Sequence, residues 1–93
     1  MRTIQFYRTP AGKCPVQEFL DSLPDRHAQK VTWILRLVER LDIVPQQYFK
    51  KLVGTEGLWE IRAQMGGNSY RFLGFFAGAA LLILTSGFSK KQQ

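Results

Sequence analysis

The spacing of apolar residues changes near the middle of this chain, and that change limits the fold more than any single motif. Val16, Phe19, Leu20 and Leu23, then Ala28, Val31, Ile34, Leu35, Val38 and Leu41, recur at intervals of mostly three and four. That is the repeat of a buried helix face. From Leu58 onward the pattern alternates, with Trp59, Ile61, Ala63 and Met65 on one side and Glu60, Arg62 and Gln64 on the other. That is the repeat of a strand. A chain that reads as helices first and strands afterwards points to an α+β fold, not to an alternating α/β one.

Turn residues divide the pattern into elements. Ile4 and Phe6 alternate with Thr3 and Gln5 as a short N-terminal strand, which Thr9-Pro10-Ala11-Gly12 breaks. Pro15 opens a first helix, because proline at the first helical position lacks an N–H that would go unpaired there. Ser22-Leu23-Pro24-Asp25 ends that helix and starts a second, with Asp25 at the positive end of its dipole. The second helix runs to about Asp42 and Pro45 stops it. Arg26, Lys30, Arg36 and Arg40 lie off its apolar stripe and are expected to face water. Further on, Gly66-Gly67-Asn68 marks a hairpin turn between strands 58–65 and 70–76. Ala77-Gly78 makes a second turn into a last strand, 79–88, followed by a tail of Lys90, Lys91, Gln92 and Gln93. Tyr48 to Val53, closed by Gly54, is a candidate for one more strand. The expected architecture is an N-terminal strand, a two-helix hairpin and a twisted antiparallel sheet of three to four strands. At this length, residues 1–93 are expected to form a single domain.

Charge and composition narrow the function. Thirteen Lys and Arg against seven Asp and Glu leave a net charge of +6. The excess is greater in the second half, and after Glu60 there is no acid, while Arg62, Arg71, Lys90 and Lys91 remain. Such a field selects an anionic partner, nucleic acid first. One cysteine, Cys14, and one histidine, His27, exclude an internal disulfide and a structural zinc site, and no metal site is expected. His27 reads as a surface helix residue, Trp59 as core, and Trp33 as either core or partner-facing. Phe72 to Ser89 carries no charge, a run long enough for a membrane helix, but Gly74, Gly78 and Gly87 interrupt it. Two buried strands account for it better. With no apolar leader at the N-terminus, a cytoplasmic protein without membrane association is expected.

A two-residue turn at Gly66-Gly67 pairs Met65 with Asn68 and sets Arg62 opposite Arg71 on the same sheet face. Like charges so placed repel. The pair reads either as a site for an anion, phosphate above all, or as a solvated face with splayed side chains. Glu60 lies two residues from Arg62 on the same face and is placed to hold a guanidinium. Arg62, Arg71, Lys90 and Lys91, with Lys51 nearby, form a possible cationic cluster of the kind that grips an RNA or DNA backbone.

Four ordered stretches carry a resemblance: Pro15-Val16-Gln17-Glu18-Phe19-Leu20-Asp21-Ser22-Leu23-Pro24, Leu58-Trp59-Glu60-Ile61-Arg62, Gly66-Gly67-Asn68-Ser69-Tyr70-Arg71-Phe72 and Gly87-Phe88-Ser89-Lys90-Lys91. Together they resemble the phage-derived branch of the RelE/HigB toxin superfamily, over almost the whole chain. The resemblance implies a toxin of a type II toxin–antitoxin module. It implies a RelE-like sheet on a helical hairpin, and a metal-independent endoribonuclease without cofactor. Such proteins cut messenger RNA, often on the ribosome, and thereby inhibit translation. A cognate antitoxin, here expected to be a helix-turn-helix protein, neutralises them, in a hetero-oligomer or beside a toxin homodimer. Carried over by motif, Arg62, Arg71 and Lys91 are expected catalytic residues. Lys51, Lys90 and Glu60 are expected at the RNA. RNA cleavage by its own 2′-OH passes through a phosphorane of extra negative charge, which arginines stabilise more than they stabilise the ground state.

Members of that branch often continue past the Lys-Lys pair into a helix, whereas this chain stops at Gln93. A C-terminal catalytic group is therefore expected to be missing. The Arg62/Arg71 face is expected to expose Leu73, Phe75, Leu82 and Leu84 to an antitoxin or a second copy of the chain. Two other functions fit the same residues: a module that binds nucleic acid or ribosome without cutting, such as a phage-encoded regulator, and a domain whose basic face meets an acidic protein.

Overall fold

A computed structural model describes residues 1–91, with Lys91 described through its backbone. β1 (Thr3–Phe6) is followed by α1 (Pro15–Asp21) and α2 (Asp25–Arg40). Then come β2 (Phe49–Lys51), β3 (Trp59–Met65), β4 (Asn68–Ala77) and β5 (Leu81–Lys91). The strands form one sheet in the order β1-β5-β4-β3-β2. β1 runs parallel to β5 and every other pair is antiparallel. The α+β layout expected from the sequence is therefore present. Its antiparallel part has four strands, and β1 widens the sheet to five. Lys90 and Lys91, expected in a tail, are strand residues instead. β4 begins directly after the turn, so it offers backbone partners as far as Ser69 for Lys90 and Asn68 for Lys91. Among the described residues no helix is long and apolar enough to cross a membrane.

The helices cover one face of the sheet, α1 over β5 and α2 over β3. Val16, Val31, Ile34 and Val38 are fully buried against Ile61, Phe72, Leu82 and Leu84. Each such side chain contributes roughly 1.5–3 kcal/mol over leaving it in water. Carbonyls at the C-terminal end of α2 and just beyond it, which the helix cannot pair itself, are held by the residue before β1. Arg2 Nη1 donates to the carbonyls of Val38 (2.9 Å) and Leu41 (2.5 Å), and Nη2 donates to that of Asp42 (2.7 Å). A cation at that end also suits the helix dipole.

Two departures from regular pairing decide which residues reach the core. β4 and β5 pair Leu73 with Ser86 but Gly74 with Leu84, which leaves Thr85 as an extra residue in β5. Its Oγ1 donates to the Leu73 carbonyl at 3.3 Å. One inserted residue exchanges the two faces for everything beyond it. Leu82 and Leu84, expected on the Arg62/Arg71 face, are consequently buried under the helices, and Ile83 takes their place on the other side. Of the expected apolar patch, Phe75 is exposed and Leu73 is half-buried. Glycines permit the close approach of these strands. A Cβ on Gly74 would lie 2.4 Å from the Ile83 carbonyl oxygen, and one on Gly87 would lie 2.9 Å from the rings of Phe19 and Phe72.

These distances rank two substitutions. Gly87→Ala is expected to lose about 1–3 kcal/mol, because aromatic rings can shift. Gly74→Ala is expected to lose more, because a paired backbone carbonyl cannot yield. Urea unfolding of both variants measures the order, and equal losses would contradict it.

Candidate functional site

The β3–β4 hairpin builds the charged site. Gly66 takes a φ of +57° as the first residue of the two-residue turn, which glycine adopts without steric cost. The pairing then runs Met65 with Asn68, Ala63 with Tyr70, Arg62 with Arg71, Ile61 with Phe72 and Glu60 with Leu73. Alternation sends Ile61, Ala63, Tyr70 and Phe72 under the helices. It sends Glu60, Arg62 and Arg71 to the face that the helices leave uncovered.

Glu60 holds the two like charges together. Its side chain is only 5% exposed, against 29% for Arg62 and 24% for Arg71. Arg62 Nε donates to Glu60 Oε1, and Arg71 Nη1 lies 3.6 Å from Oε2. The second separation is an ion pair and is too long for a hydrogen bond. Burying a lone carboxylate costs several kcal/mol, and two flanking guanidinium groups offset that cost. The same carboxylate screens Arg62 from Arg71. Each arginine therefore stays anchored while about a quarter of it remains accessible, which is the condition for meeting an anion.

The other expected site residues are placed less uniformly. Lys90 pairs with Ser69, two residues from Arg71, and lies exposed at the same end of the sheet. The backbone of Lys91 pairs with Asn68, and its side chain lies outside the described residues. Lys51 is not brought to the cluster. It pairs with Trp59, whose ring stacks on Phe49 with centroids 4.7 Å apart on the helix side. Lys50 is the residue opposite Glu60. The burial of Phe49 sets this phase, since Phe49 and Lys51 must share a face. His27 is half-buried and its Nδ1 is hydrogen-bonded to the Tyr70 hydroxyl, which pins α2 to the helix face of β4. It belongs to the opposite side from Arg71.

Two further features have no counterpart in the sequence pattern. Ser69 Oγ and Arg71 Nε are buried and have no hydrogen-bond partner among the described residues. A cleft of about 320 Å³ beside Arg62 is lined by Lys30, Gln47, Tyr48 and Gln64. Neither shows in the sequence pattern, because both arise where separate elements meet.

Residues 18–93 match the family model described as Phage derived protein Gp49-like (DUF891), a span that takes in every candidate site residue. No curated protein matches the chain.

The shared carboxylate makes a thermodynamic prediction. Glu60→Gln is expected to lower stability by about 1–3 kcal/mol, because two partly buried guanidinium groups lose their charged partner. Arg71→Ala should cost less in the Glu60→Gln background than in the native protein, because it then also removes a repulsion. Urea unfolding of the two single variants and the double variant measures this coupling. Additive costs would show that Glu60 does not mediate the pair.

Proposed function

The chain belongs to the Gp49-like family of phage-derived proteins, and on that footing we propose that it is the toxin of a type II toxin–antitoxin module. In this reading it is a cytoplasmic, metal-independent endoribonuclease that cuts messenger RNA on the ribosome. A helix-turn-helix antitoxin neutralises it. One observation carries the reading: Arg62 and Arg71 face each other across two strands, share one buried carboxylate, and stand on the sheet face that the helices do not cover.

The chemistry follows from that arrangement. The 2′-OH of the RNA gives up its proton to water and attacks the adjacent phosphorus, the bond to the 5′ oxygen breaks and that oxygen takes up a proton from water, and the phosphorane between them carries additional negative charge. Arg62 and Arg71 donate to its non-bridging oxygens. They are already oriented by Glu60, so little reorganisation accompanies the step. Both oxygens of Glu60 are engaged by arginines, so its role is to position them. Lys90, exposed beside Ser69, holds flanking phosphate, with Lys51 on a more distant stretch of RNA. The backbone of Lys91 shares the phase of Tyr70 and Phe72 and not that of Arg71, so it takes no part in this step. Exposed Phe75 and Phe88 suit coverage of this face by the antitoxin.

A second reading is a module that binds nucleic acid or ribosome without cutting. It is favoured by the commitment of Glu60 to two guanidinium groups and of His27 to Tyr70 on the opposite face. One experiment separates the two. Induced expression of the wild type is expected to arrest growth and to produce discrete messenger-RNA breaks in primer extension. Arg71→Ala should reduce the breaks by about 100-fold or more, the usual effect of removing one transition-state donor. Arrest with intact messenger RNA would favour the binding module. Breaks undiminished in Arg71→Ala would overturn the proposed site.

A further inference from the structure

Trp33 is 51% exposed on the outer side of α2, an unusual position for the largest apolar side chain in a small domain. It is also held in place. Lys30 Nζ lies 5.2 Å from its ring centroid, and the edge of Tyr48 meets it at 6.3 Å with the planes at 88°. One flat face of amphipathic indole is thus presented at fixed orientation beside cations, with Arg36 lining the same surface depression and Asp25 at its far end.

Tyr48 connects this platform to the charged site. Its carbonyl accepts from the Arg62 backbone N–H at 2.8 Å. Its side chain lines the 320 Å³ cleft with Lys30, Gln47, Arg62 and Gln64. That volume is at the small end of ligand pockets. Two cations and two amides surround it, and no carboxylate lines it among the described residues. The amides are suited to the edge of a nucleobase, since each offers a donor and an acceptor. A run from guanidinium to amide-lined cleft to exposed indole combines the two elements of single-strand recognition, a cationic track and a stacking platform.

We infer that the Gln47/Gln64 cleft and the exposed face of Trp33 form an extended subsite for single-stranded RNA, in which nucleotides flanking the phosphate at Arg62 place one base between the amides and stack the next on the indole. The inference rests on the RNA reading of the Arg62/Arg71 site. A protein partner on Trp33 is the competing occupant. The excess of cations over acids around the ring and the carboxylate-free cleft favour RNA.

The test uses the intact protein and a single-stranded oligonucleotide of about eight nucleotides, a usual site size for such grooves, with 2′-O-methyl groups to prevent cleavage. Binding is followed by anisotropy of a labelled oligonucleotide and, separately, by quenching of tryptophan emission. Trp33→Ala is expected to weaken binding about five- to a hundred-fold, the range of one lost base–aromatic stack, and to abolish most of the quenching. Trp33→Phe should restore most of the affinity, and Gln64→Ala should weaken binding by a smaller factor. An oligonucleotide shortened to two nucleotides should bind wild type and Trp33→Ala alike. Unchanged affinity in Trp33→Ala, with Arg71→Ala still weakening the complex, would overturn the subsite and leave the Arg62/Arg71 reading standing. Indifference of binding to Arg71→Ala as well would overturn both. Circular dichroism melting checks that the variants are folded. Since Trp33 lies on the surface, a large loss of stability in Trp33→Ala would itself count against a ligand-facing role.

Discussion

The two-residue turn at Gly66-Gly67 holds β3 and β4 in one register, and the site and the central core both depend on it. A slip of one residue would turn one strand over against the other, taking either Ile61 and Ala63 or Tyr70 and Phe72 away from the helices and putting Glu60 and Arg62, or Arg71, beneath them. Burial of four apolar or aromatic side chains on one face therefore enforces the meeting of two arginines on the other. Their repulsion is tolerated because Glu60, two residues before Arg62, inserts a carboxylate between them. The charged triad is coupled to the hydrophobic core through strand alternation.

The bulge at Thr85 completes the division of the sheet into two faces. Without the extra residue, Leu82 and Leu84 would continue the alternation onto the charged face and leave a broad apolar strip there. With it, they close the core beside β1 and beneath α1, and Leu73, Phe75, Leu81, Ile83 and Phe88 are the larger apolar groups that these two strands place on the uncovered face. Gly74 accompanies the bulge because the strands approach too closely for any side chain. One face is thus specialised for packing. The other is left charged and open, with its cations at the hairpin end.

This geometry connects to the proposed chemistry through pre-organisation. Each arginine is fixed by a buried partner and still presents donors to solvent, so an incoming phosphate meets groups already in place. The edge of β3 beyond β2 extends that surface. There Arg62, Tyr48 and α2 converge, and a helix residue far away in sequence, Trp33, adjoins the charged face. The span matched to the Gp49-like family, residues 18–93, takes in α2 and β2 to β5, which build both parts.

Much of this was legible in the chain itself. Three- and four-residue spacing marks both helices, alternation marks β3, and the Gly-Gly turn yields the Arg62–Arg71 pairing and the place of Glu60. These features are local: each depends on periodicity or on a turn a few residues away. The rest is not local. The phase of β2, which puts Lys50 and not Lys51 opposite Glu60, depends on Phe49 finding the core. The parallel docking of β1 depends on the last strand of the chain, and the Arg2 cap on the end of α2. The face of Leu82 and Leu84 depends on a bulge that backbone geometry creates and residue types do not announce. The sequence alone thus determined the elements and the one pair of strands joined by a tight turn. Tertiary structure decided which surfaces those strands share with distant segments, because side chains far apart in sequence acquire a common face only once the helices have settled which side of the sheet is buried.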